Sequence, residues 1–441
     1  MSIDKRAPSV CVDGFNLAIP KGSGIATYGR NLISGLNALG FQTQVLYGPQ
    51  APTTRNSHLN TIALTDAPPP KGSPEKIRRW AKTITTRFGR LAHLVELNPD
   101  IIWSETGNGR PDASRFWASQ KLYDYAFRAQ RAYGTMTPLR FSGAQAPDVM
   151  HWTCPMPLHS PGRVNLYTFH DLIPLVLPHS TTEDKQAYMA MCRAVVAKAD
   201  HLLAVSETTR QDVIRLLGIP EEKISTTYQS VDMSSQAALE SDEASASYVE
   251  GVFDLGWKDY FLYYGALEPK KNVSRLVEAY LSSGVTRPLI IVGGRSWLDG
   301  GEAALIASVV DGENLRRAGR IRKFDFLSGP MLTRLIRGAR ATVFPSLYEG
   351  FGLPVLESMA LGTAVLTSSA GSLPEVAGDA ALQVDPYNVA EIRKALVALD
   401  YDASLLGELV SKGRIRAQTF SPAEHRRRLA EVYAKVGLAT A

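Results

Sequence analysis

The sequence predicts an α/β protein in which two doubly wound, Rossmann-like domains face a cleft. Short apolar runs that suit buried parallel strands alternate with amphipathic helical segments in both halves of the chain. With 441 residues, the chain can form two domains of ordinary size, each with its own core. Ligands of such domains bind at the carboxyl ends of the strands, so a cleft between the domains is the expected site.

The composition is that of a soluble globular protein, with 45% hydrophobic and 21% charged residues. We find no apolar run near the roughly 18 residues that a membrane span needs, and the first residues lack the apolar core of a signal peptide, so we expect a cytoplasmic location. The net charge of +5 allows an anionic partner. Nucleotide diphosphates and acidic lipid headgroups fit this charge better than nucleic acid, for which we find no signature motif.

The cysteines are few. Cys11, Cys154 and Cys192 are odd in number and far apart, which argues against a disulfide framework and against a zinc cluster. We also recognise no Asp-x-Asp triplet for a divalent ion. The sequence therefore predicts a protein without a bound metal or other cofactor.

Residues 341–376 predict a strand, loop, helix and second strand in succession. Apolar runs at 341–344 and 363–367 fit buried parallel strands. Pro354 suits the first helical position, where its missing N–H costs nothing, and Gly362 suits the stop just past the helix end. The glycine-rich loop between the first strand and the helix is the centre of the functional prediction.

This loop has the chemistry of an anion site flanked by two carboxylates. The amides of Gly350, Phe351 and Gly352 can face a diphosphate at the start of the helix, where the dipole favours negative charge. Glu349 and Glu357 can accept hydrogen bonds from sugar hydroxyls, one from a ribose and the other from a transferred sugar. Taken singly, Glu357 could be a solvated acid and the glycines an ordinary turn; together they favour the ligand site.

The segment resembles the donor-site signature of the retaining glycosyltransferases of family four, whose members have the two-domain GT-B fold and use nucleotide-sugar donors. The similarity extends from about residue 10 to about 435 and is weakest between roughly 50 and 145. The donor-binding residues that the loop and this resemblance imply are Gly22, Gly24, Lys270, Lys271, Leu327, Glu349, Gly350, Phe351, Gly352, Leu353 and Glu357.

The resemblance also assigns catalytic residues, namely Glu349, His170 and Lys271. His170, in the motif HDLIP, matches a family histidine that lies beside the transferred sugar, and Asp171 could orient it or cap the next segment. Lys271 and its neighbour Lys270, in GALEPKKN, can neutralise a diphosphate and stabilise it as a leaving group.

Two further loops are assigned through the same resemblance. Gly22 and Gly24 precede an amphipathic helix, and the family uses this loop to line the cleft. Leu327 follows a predicted strand in a segment where family members hold the base through main-chain groups. One departure is Ala266, where many members carry an arginine, and Lys270 is the candidate to meet the second phosphate charge.

The predicted domain boundaries follow from composition and from the resemblance. Residues 225–232 are the expected crossover, which gives a first domain at 1–230 and a second, donor-binding domain at 231–419. The polar stretch 233–258 is predicted as a linker. Residues 420–441 resemble the terminal helix that crosses back to the first domain in this family.

Residues 75–95 predict a basic amphipathic helix. Such a helix can lie on an anionic membrane, and it can equally pack on its own domain with a solvated basic face. We also expect a strand at 100–104 and a helix over 116–134. The region 105–145 otherwise matches no pattern.

The resemblance implies a retaining, metal-independent transferase that moves a hexose from a nucleotide diphosphate sugar to a glycan or lipid-linked acceptor. The motifs GALEPKKN and HDLIP are most similar to mannosyltransferase-like members, which favours GDP-mannose and surface polysaccharide synthesis at the inner face of the membrane. The alternatives are a UDP-glucose or deoxyhexose transferase, an epimerase or phosphorylase of the same fold, and a non-catalytic protein that binds sugar nucleotides.

Overall fold

The computed structural model describes residues 7–19, 24–65, 82–101, 103, 109–294 and 320–438. Each half of the chain forms one sheet. The strands of the first half are β1 (Ser9–Asp13), β2 (Gln42–Tyr47), β3 (Arg90–Val95), β4 (Arg115–Ala118), β5 (Thr137–Phe141), β6 (Val149–Trp152), β7 (Leu158–His159), β8 (Val164–Phe169), β9 (His201–Ala204) and β10 (Ile224–Thr226). The strands of the second half are β11 (Phe261–Tyr264), β12 (Leu289–Val292), β13 (Ile321–Phe324), β14 (Ala341–Phe344), β15 (Ala364–Ser368) and β16 (Leu382–Val384).

Both sheets are doubly wound and almost wholly parallel. Among the described residues, the first has the order β10-β9-β8-β6-β1-β2-β4-β3-β5-β7 and the second the order β13-β12-β11-β14-β15-β16. The pair formed by β3 and β4 is antiparallel, and the other described pairs are parallel. In both sheets the strand order reverses near the first strand of that half, which is where doubly wound proteins bind ligands.

Helices cover the sheets. They are α1 (Gly24–Ala38), α2 (Ser57–Thr65), α3 (Leu122–Tyr133), α4 (Ile173–Val176), α5 (Lys185–Lys198), α6 (Glu207–Leu217), α7 (Gln236–Leu239), α8 (Asp242–Phe253), α9 (Val273–Ser282), α10 (Gly329–Gly338), α11 (Leu353–Ala360), α12 (Leu373–Ala377), α13 (Val389–Tyr401), α14 (Ala403–Gln418) and α15 (Pro422–Lys435). Because helices flank the sheets, β1, β11, β14 and β15 are buried along their whole length. Each fully buried Val, Leu, Ile or Phe contributes roughly 1.5–3 kcal/mol.

The helix predicted over residues 75–95 is wrong in its last part. Residues 82–86 are helical, but Gly89 has a φ of +126° and residues 90–95 form β3. Residues 75–81 lie outside the described residues. The segment RLAHLV has apolar spacing that suits a helix, yet pairing with β4 on one side and β5 on the other satisfies its backbone groups. A lipid-binding helix face, one of the two alternatives for this segment, is therefore absent from residues 90–95.

The linker predicted at 233–258 is also wrong, because this stretch contains α7 and α8. The Ser241 side chain accepts a hydrogen bond from the Ala244 amide and caps α8. Phe253, at the end of α8, packs edge-on against Phe324 of β13 with ring centroids 5.5 Å apart. The serines that suggested a linker include a helix cap, and these helices belong to the second half.

Two smaller predictions also differ from the structure. The helix expected over 116–134 begins only at Leu122, because residues 116–118 belong to β4 and pair with β2. Of the strand expected at 100–104, the described residues 100, 101 and 103 are not extended in a sheet.

The last helix, α15, packs against α1 of the first half. The Tyr433 hydroxyl lies 2.8 Å from Nδ1 of the buried His151. The Tyr433 ring packs on Phe41 at 5.0 Å between centroids, and a Cβ atom on Gly35 would lie 3.3 Å from Leu429. The end of the chain thus completes the core of its beginning.

We predict that Tyr433→Phe lowers the free energy of unfolding by about 1–2 kcal/mol, because it leaves the buried His151 nitrogen without its partner. Urea unfolding followed by circular dichroism measures this change. Tyr401→Phe is the matched control, since Tyr401 is 72% exposed. Equal unfolding midpoints for the two variants would show that the His151 contact contributes nothing.

Candidate active site

The ends of β8 and β14 bring the predicted histidine into contact with the glycine loop. His170 follows β8, and residues 349–352 lie between β14 and α11. A Cβ atom on Gly350 would lie 1.8 Å from the His170 carbonyl oxygen, closer than atoms can approach. The two backbones are therefore so close that only glycine fits at position 350.

The loop leads directly into α11. Gly352 is the N-cap residue, with a φ of +99°, and Pro354 lies in the first turn, as the sequence predicts. The Phe351 ring is buried against Tyr228 and Phe420, with centroids 6.4 and 5.6 Å away. Phe351 therefore packs in the core, and its backbone is the part that remains for a ligand at the helix start.

Lys271 and Glu349 form an ion pair beside this loop. Lys271 Nζ lies 2.6 Å from Glu349 Oε1, and the two side chains are 19% and 13% exposed. Burial alone would raise the pKa of Glu349, but the charges of Lys271 and Lys270 outweigh it and hold the pKa below its ordinary value. The site thus keeps an ionised carboxylate next to a cation in a largely buried position.

Asn272 fixes the loop that carries Lys270 and Lys271 (the lysine loop) against the loop at residues 349–352 (the glycine loop). It is fully buried, has a φ of +61°, and begins α9. Its Nδ2 donates to the Pro345 carbonyl at 2.9 Å and to the Pro386 carbonyl at 2.6 Å. Because Pro345 follows β14, these bonds set the position of Lys271 relative to Glu349.

Lys270 is a second cation at the same place. Its Nζ lies 3.4 Å from Glu268, and its backbone carbonyl accepts from the Leu347 amide at 2.7 Å. Burial lowers the pKa of Lys270, but Asp171, Glu349 and Glu268 raise it by more, so it stays above the ordinary value. Lys270 is thus a firmly charged group facing carboxylates from both halves.

Glu357 lies on α11 at the edge of a cavity between the halves. The Tyr264 hydroxyl donates to its Oε2 at 3.1 Å, and burial raises the pKa of Glu357 to about 7. The cavity has a volume of about 250 Å³ and is also lined by Leu353. From the first half, Thr27 and Asn31 of α1 complete the wall.

His170 is held as a neutral imidazole. Its Nε2 lies 2.8 Å from the Thr153 carbonyl, so Nε2 carries the proton and Nδ1 is the acceptor. Burial lowers the pKa of His170, and the ring meets Tyr28 edge-on at 4.9 Å. Asp171 does not orient the imidazole, because its Oδ1 accepts from the Ile173 amide at 3.0 Å and caps the next turn.

The remaining predicted residues are placed less closely. Gly24 is the first residue of α1, and a Cβ atom there would lie 3.9 Å from Leu353. Gly22 lies outside the described residues. Leu327 packs on the main hydrophobic core. From its segment, Gly329 and Leu332, rather than Leu327, line the cavity beside Glu357.

Sequence reasoning missed a second cavity between the halves, with a volume of about 260 Å³. Glu268 and Lys270 line it from the second half and Asp171 and Glu183 from the first, together with a run of hydroxyl residues at 180–182. It also missed Thr209 and Glu375, which hydrogen-bond between the halves. The residues joined by these two hydrogen bonds lie 141 and 168 positions apart in the chain, and no local pattern marks them.

Comparison with known proteins decides the family. Residues 255–414 match the family model "Glycosyl transferases group 1", and residues 114–235 match the model "Glycosyltransferase Family 4". The two matches together span more than half of the chain and include the lysine loop, the glycine loop and His170. The chain belongs to the family 4 glycosyltransferases.

Several relatives of this glycosyltransferase are mannosyltransferases by name. It is 34% identical to the O-antigen chain mannosyltransferase B of Escherichia coli over 264 residues, which is 58% of this chain and 66% of the relative. It is 29% identical to the O-antigen chain mannosyltransferase RfbU of Salmonella typhimurium, over 68% of this chain and 74% of the relative. The chain spans only 31% of the longer serotype-specific mannosyltransferase WbdA of Escherichia coli, at 29% identity over 57% of this chain.

Solved structures confirm the predicted GT-B fold of the glycosyltransferase. Sucrose-phosphate synthase from Thermosynechococcus elongatus superposes with a TM-score of 0.67 at 16% identity, covering 98% of this chain and 99% of that chain. WaaG, a glycosyltransferase involved in lipopolysaccharide biosynthesis, has a TM-score of 0.60 at 15% identity, covering 96% and 98%. Anabaena HepE in complex with UDP and glucose has a TM-score of 0.61 at 15% identity, covering 98% and 100%.

The glycosyltransferase does contain one Asp-x-Asp triplet, Asp400-Tyr401-Asp402, which the sequence interpretation overlooked. Asp400 is 2% exposed and pairs with Arg287 at 2.6 Å, and Asp402 caps α14 through the Leu405 amide at 2.9 Å. Both carboxylates thus have structural partners. In the part of the chain that the structure describes, no three His, Cys, Asp or Glu side chains are grouped to hold a metal ion. Across the same ranges, none of the helices has the length and apolar character to span a membrane.

We predict that Glu357→Gln stabilises the glycosyltransferase at pH 8 relative to the wild type, and has no effect near pH 4.5. The folded protein binds a proton on Glu357 up to about pH 7. The unfolded chain releases that proton near its ordinary value of about 4.3, so wild-type stability falls as the pH rises through this window.

Because Glu357 is only partly buried, we expect the difference at pH 8 to be roughly 1–3 kcal/mol. Urea unfolding of both proteins at several pH values measures it. Glu250→Gln, at an exposed position on α8, is the matched control. A constant difference between wild type and Glu357→Gln from pH 4.5 to 8 contradicts the raised pKa.

Proposed function

We propose that this glycosyltransferase moves a mannosyl residue from GDP-mannose to a glycan or lipid-linked acceptor, with retention of anomeric configuration and without a metal. The observation that carries the proposal is the Lys271 and Glu349 pair at 2.6 Å, next to the contact between Gly350 and His170. In the proposed site a cation, a carboxylate and the start of a helix lie beside the loop that meets the His170 backbone, so the imidazole would complete the set of groups around the donor. Those are the groups that a sugar diphosphate requires.

The choice of mannose is supported by the relatives. The first relatives reported above are named as mannosyltransferases, and two of them carry names that refer to an O-antigen chain. We therefore propose that the product is part of a surface polysaccharide. UDP-glucose and deoxyhexose donors are the alternatives within the same family.

In the proposed complex, the donor diphosphate lies at the start of α11. The amides of residues 350–353 would donate to its oxygens, and Lys271 and Lys270 would neutralise its charge. Negative charge grows on this phosphate as the bond to the sugar breaks, so fixed donors there lower the barrier. Before the donor binds, Glu349 neutralises Lys271 and prevents a buried cation from being left unpaired.

The two carboxylates and His170 would hold the sugars of the donor. Once the diphosphate binds Lys271, Glu349 is free to accept from hydroxyls of the transferred mannose. His170 Nδ1 would accept from another hydroxyl, since its Nε2 is bound to Thr153. Glu357 would accept from the ribose in the cavity that it lines with Leu353.

The transfer itself would need no covalent intermediate on the protein. The acceptor oxygen attacks the anomeric carbon on the face that the phosphate leaves, and the bond from carbon to phosphate oxygen breaks. The acceptor proton passes to that phosphate oxygen, which balances the reaction and leaves GDP. Enclosure between the two halves excludes water, which would otherwise compete as acceptor.

We also propose that the protein works in the cytoplasm, on the inner side of the membrane. Its cysteines Cys11, Cys154 and Cys192 are free, which is typical of a reducing compartment. Cell fractionation that recovers the protein only outside the cytoplasm and inner membrane contradicts this location.

We expect GDP to bind more tightly than UDP, ADP or dTDP in calorimetric titrations. Lys271→Ala should weaken GDP at least about tenfold, equal to about 1.4 kcal/mol, because a charged hydrogen bond to the diphosphate is lost. Lys394→Ala, an exposed lysine on α13, is the matched control and should bind like wild type. Tighter binding of UDP would favour the alternative donors, and equal GDP binding by the two variants would contradict the phosphate site.

Glu349→Gln should lower kcat for mannosyl transfer by roughly 100-fold or more, because it removes the carboxylate charge proposed to hold the mannose hydroxyls while the bond to the phosphate breaks. The measurement is radiolabelled transfer, with NMR of the product. The product should be the α anomer, and EDTA should leave the rate unchanged. Glu250→Gln serves as the control. Wild-type turnover by Glu349→Gln, a β product, or a rate lost in EDTA and restored by manganese would each contradict the corresponding part of the proposal.

A further inference from the structure

The first turn of α6 is bound by a carboxylate from the other half of the molecule. Glu375 Oε1 accepts from the Glu207 amide at 2.7 Å, and Oε2 accepts from the Thr208 amide and hydroxyl, both at 3.0 Å. The next amide, of Thr209, donates to Ser206 Oγ at 3.0 Å. The amides at a helix start lack partners within the helix and favour negative charge, so Glu375 is well suited to this position.

The following residue, Thr209, touches both halves of the candidate site. It is fully buried, and its hydroxyl lies 3.1 Å from the His170 carbonyl and 3.2 Å from the Gly350 carbonyl. These are the two residues whose backbones leave no room for a Cβ atom at position 350. A single hydroxyl thus bridges the backbone on which the catalytic imidazole sits and the loop proposed to bind the donor.

Glu375 is itself tied to the donor side of the site. Arg416 donates to the backbone carbonyls of Glu375 and Val376, the latter at 3.0 Å, and so fixes α12. At the other end of α12, the Ser372 amide and hydroxyl donate to the Glu349 carbonyl at 3.1 and 3.0 Å. Hydrogen bonds and the short helix α12 therefore connect α6, through Glu375, to the backbone of Glu349.

A second contact lies further along α6. The Tyr348 hydroxyl is hydrogen-bonded to Asp212, and Tyr348 directly precedes Glu349. Asp212 is 8% exposed, so this bond is largely shielded from water. The two ends of the loop around Glu349 are thus both held to one helix of the first half.

We propose that Glu375, Thr208 and Thr209 form an interdomain clasp that positions His170 against Glu349 for transfer. They are positioning residues, since the groups proposed to touch the donor are Lys271, Glu349, His170 and the helix start. The clasp sets the fraction of molecules in which the two halves are closed on each other, with His170 held against the loop that carries Glu349. Its kinetic readout rests on the proposed transferase function, whereas the contact itself does not.

The clasp predicts a separation of kcat from nucleotide affinity. The proposed nucleotide site lies almost wholly in the second half, so opening the clasp should leave it intact. The turnover rate scales with the closed fraction, so a substitution that breaks the clasp and moves the protein from mostly closed to about one tenth closed lowers kcat about tenfold. A merely structural defect would lower the affinity for GDP and the folded fraction together with kcat.

Three substitutions test the clasp against two matched variants. Glu375→Ala removes the carboxylate, Glu375→Gln keeps one accepting oxygen, and Thr209→Val removes the hydroxyl at nearly constant shape. Thr209→Ser restores that hydroxyl, and Glu250→Gln changes an exposed acid elsewhere. Each variant is measured by transfer kinetics, calorimetry with GDP, and hydrogen exchange of the amides at 207 and 208.

We expect kcat to fall about tenfold or more in Glu375→Ala and Thr209→Val, less in Glu375→Gln, and about twofold at most in Thr209→Ser, with GDP affinity within about threefold throughout. The amides at 207 and 208 should exchange faster in both Glu375 variants. Unchanged kcat, or GDP affinity that falls in parallel with it, overturns the clasp. If the wild type transfers no sugar, the proposed function fails, but hydrogen exchange still tests the clasp. Faster exchange of the amides at 207 and 208 in the Glu375 variants supports the contact in solution, and unchanged exchange overturns it.

Discussion

The close approach of the Gly350 backbone to the His170 carbonyl is the constraint on which the site depends. With no room for a Cβ atom at position 350, the two sheets meet backbone to backbone at the ends of β8 and β14. This contact fixes the distance between groups that belong to different cores. Every side chain proposed to act on the donor is placed relative to it, either through the loop on the second half or through β8 on the first.

Charge balance is the second organising feature. Lys270, Lys271, Glu349 and Asp171 lie together where burial opposes every isolated charge, and each ionised group is stabilised by a neighbour of opposite sign. An arriving diphosphate would bring its own negative charge and could replace Glu349 as the partner of the lysines. In the Lys271 and Glu349 pair the two charges offset each other, and both groups lie beside the loop proposed to bind the diphosphate.

Much of this site was predictable from local sequence, and the reason is physical. Glycine, proline and the paired glutamates of residues 349–357 act on backbone conformation within a few residues, so the strand, loop and helix are found where predicted. The fold class followed from the same alternation of apolar strands and amphipathic helices. By contrast, β3 has helical spacing but is held by partners on both sides, which sequence spacing alone does not reveal.

The contacts across the halves were not predictable in this way. Glu375 and Glu207 are separated by 168 positions, and neither lies in a pattern that names the other. The same holds for Asp400. The Asp-x-Asp spacing could suggest a metal site, but the Asp400 carboxylate forms an ion pair with Arg287. A short motif indicates which interactions a residue can make, and the fold determines which partner it makes them with.

The return of α15 to the first half has a consequence for synthesis of the chain. His151, Phe41 and Gly35 are covered by Tyr433 and Leu429, which follow the second half in the sequence and are therefore translated after it. Part of the apolar surface of the first half therefore stays exposed to solvent while the ribosome makes the second half. Its folding can finish only after α15 has been made, so the order of synthesis and the order of core completion differ.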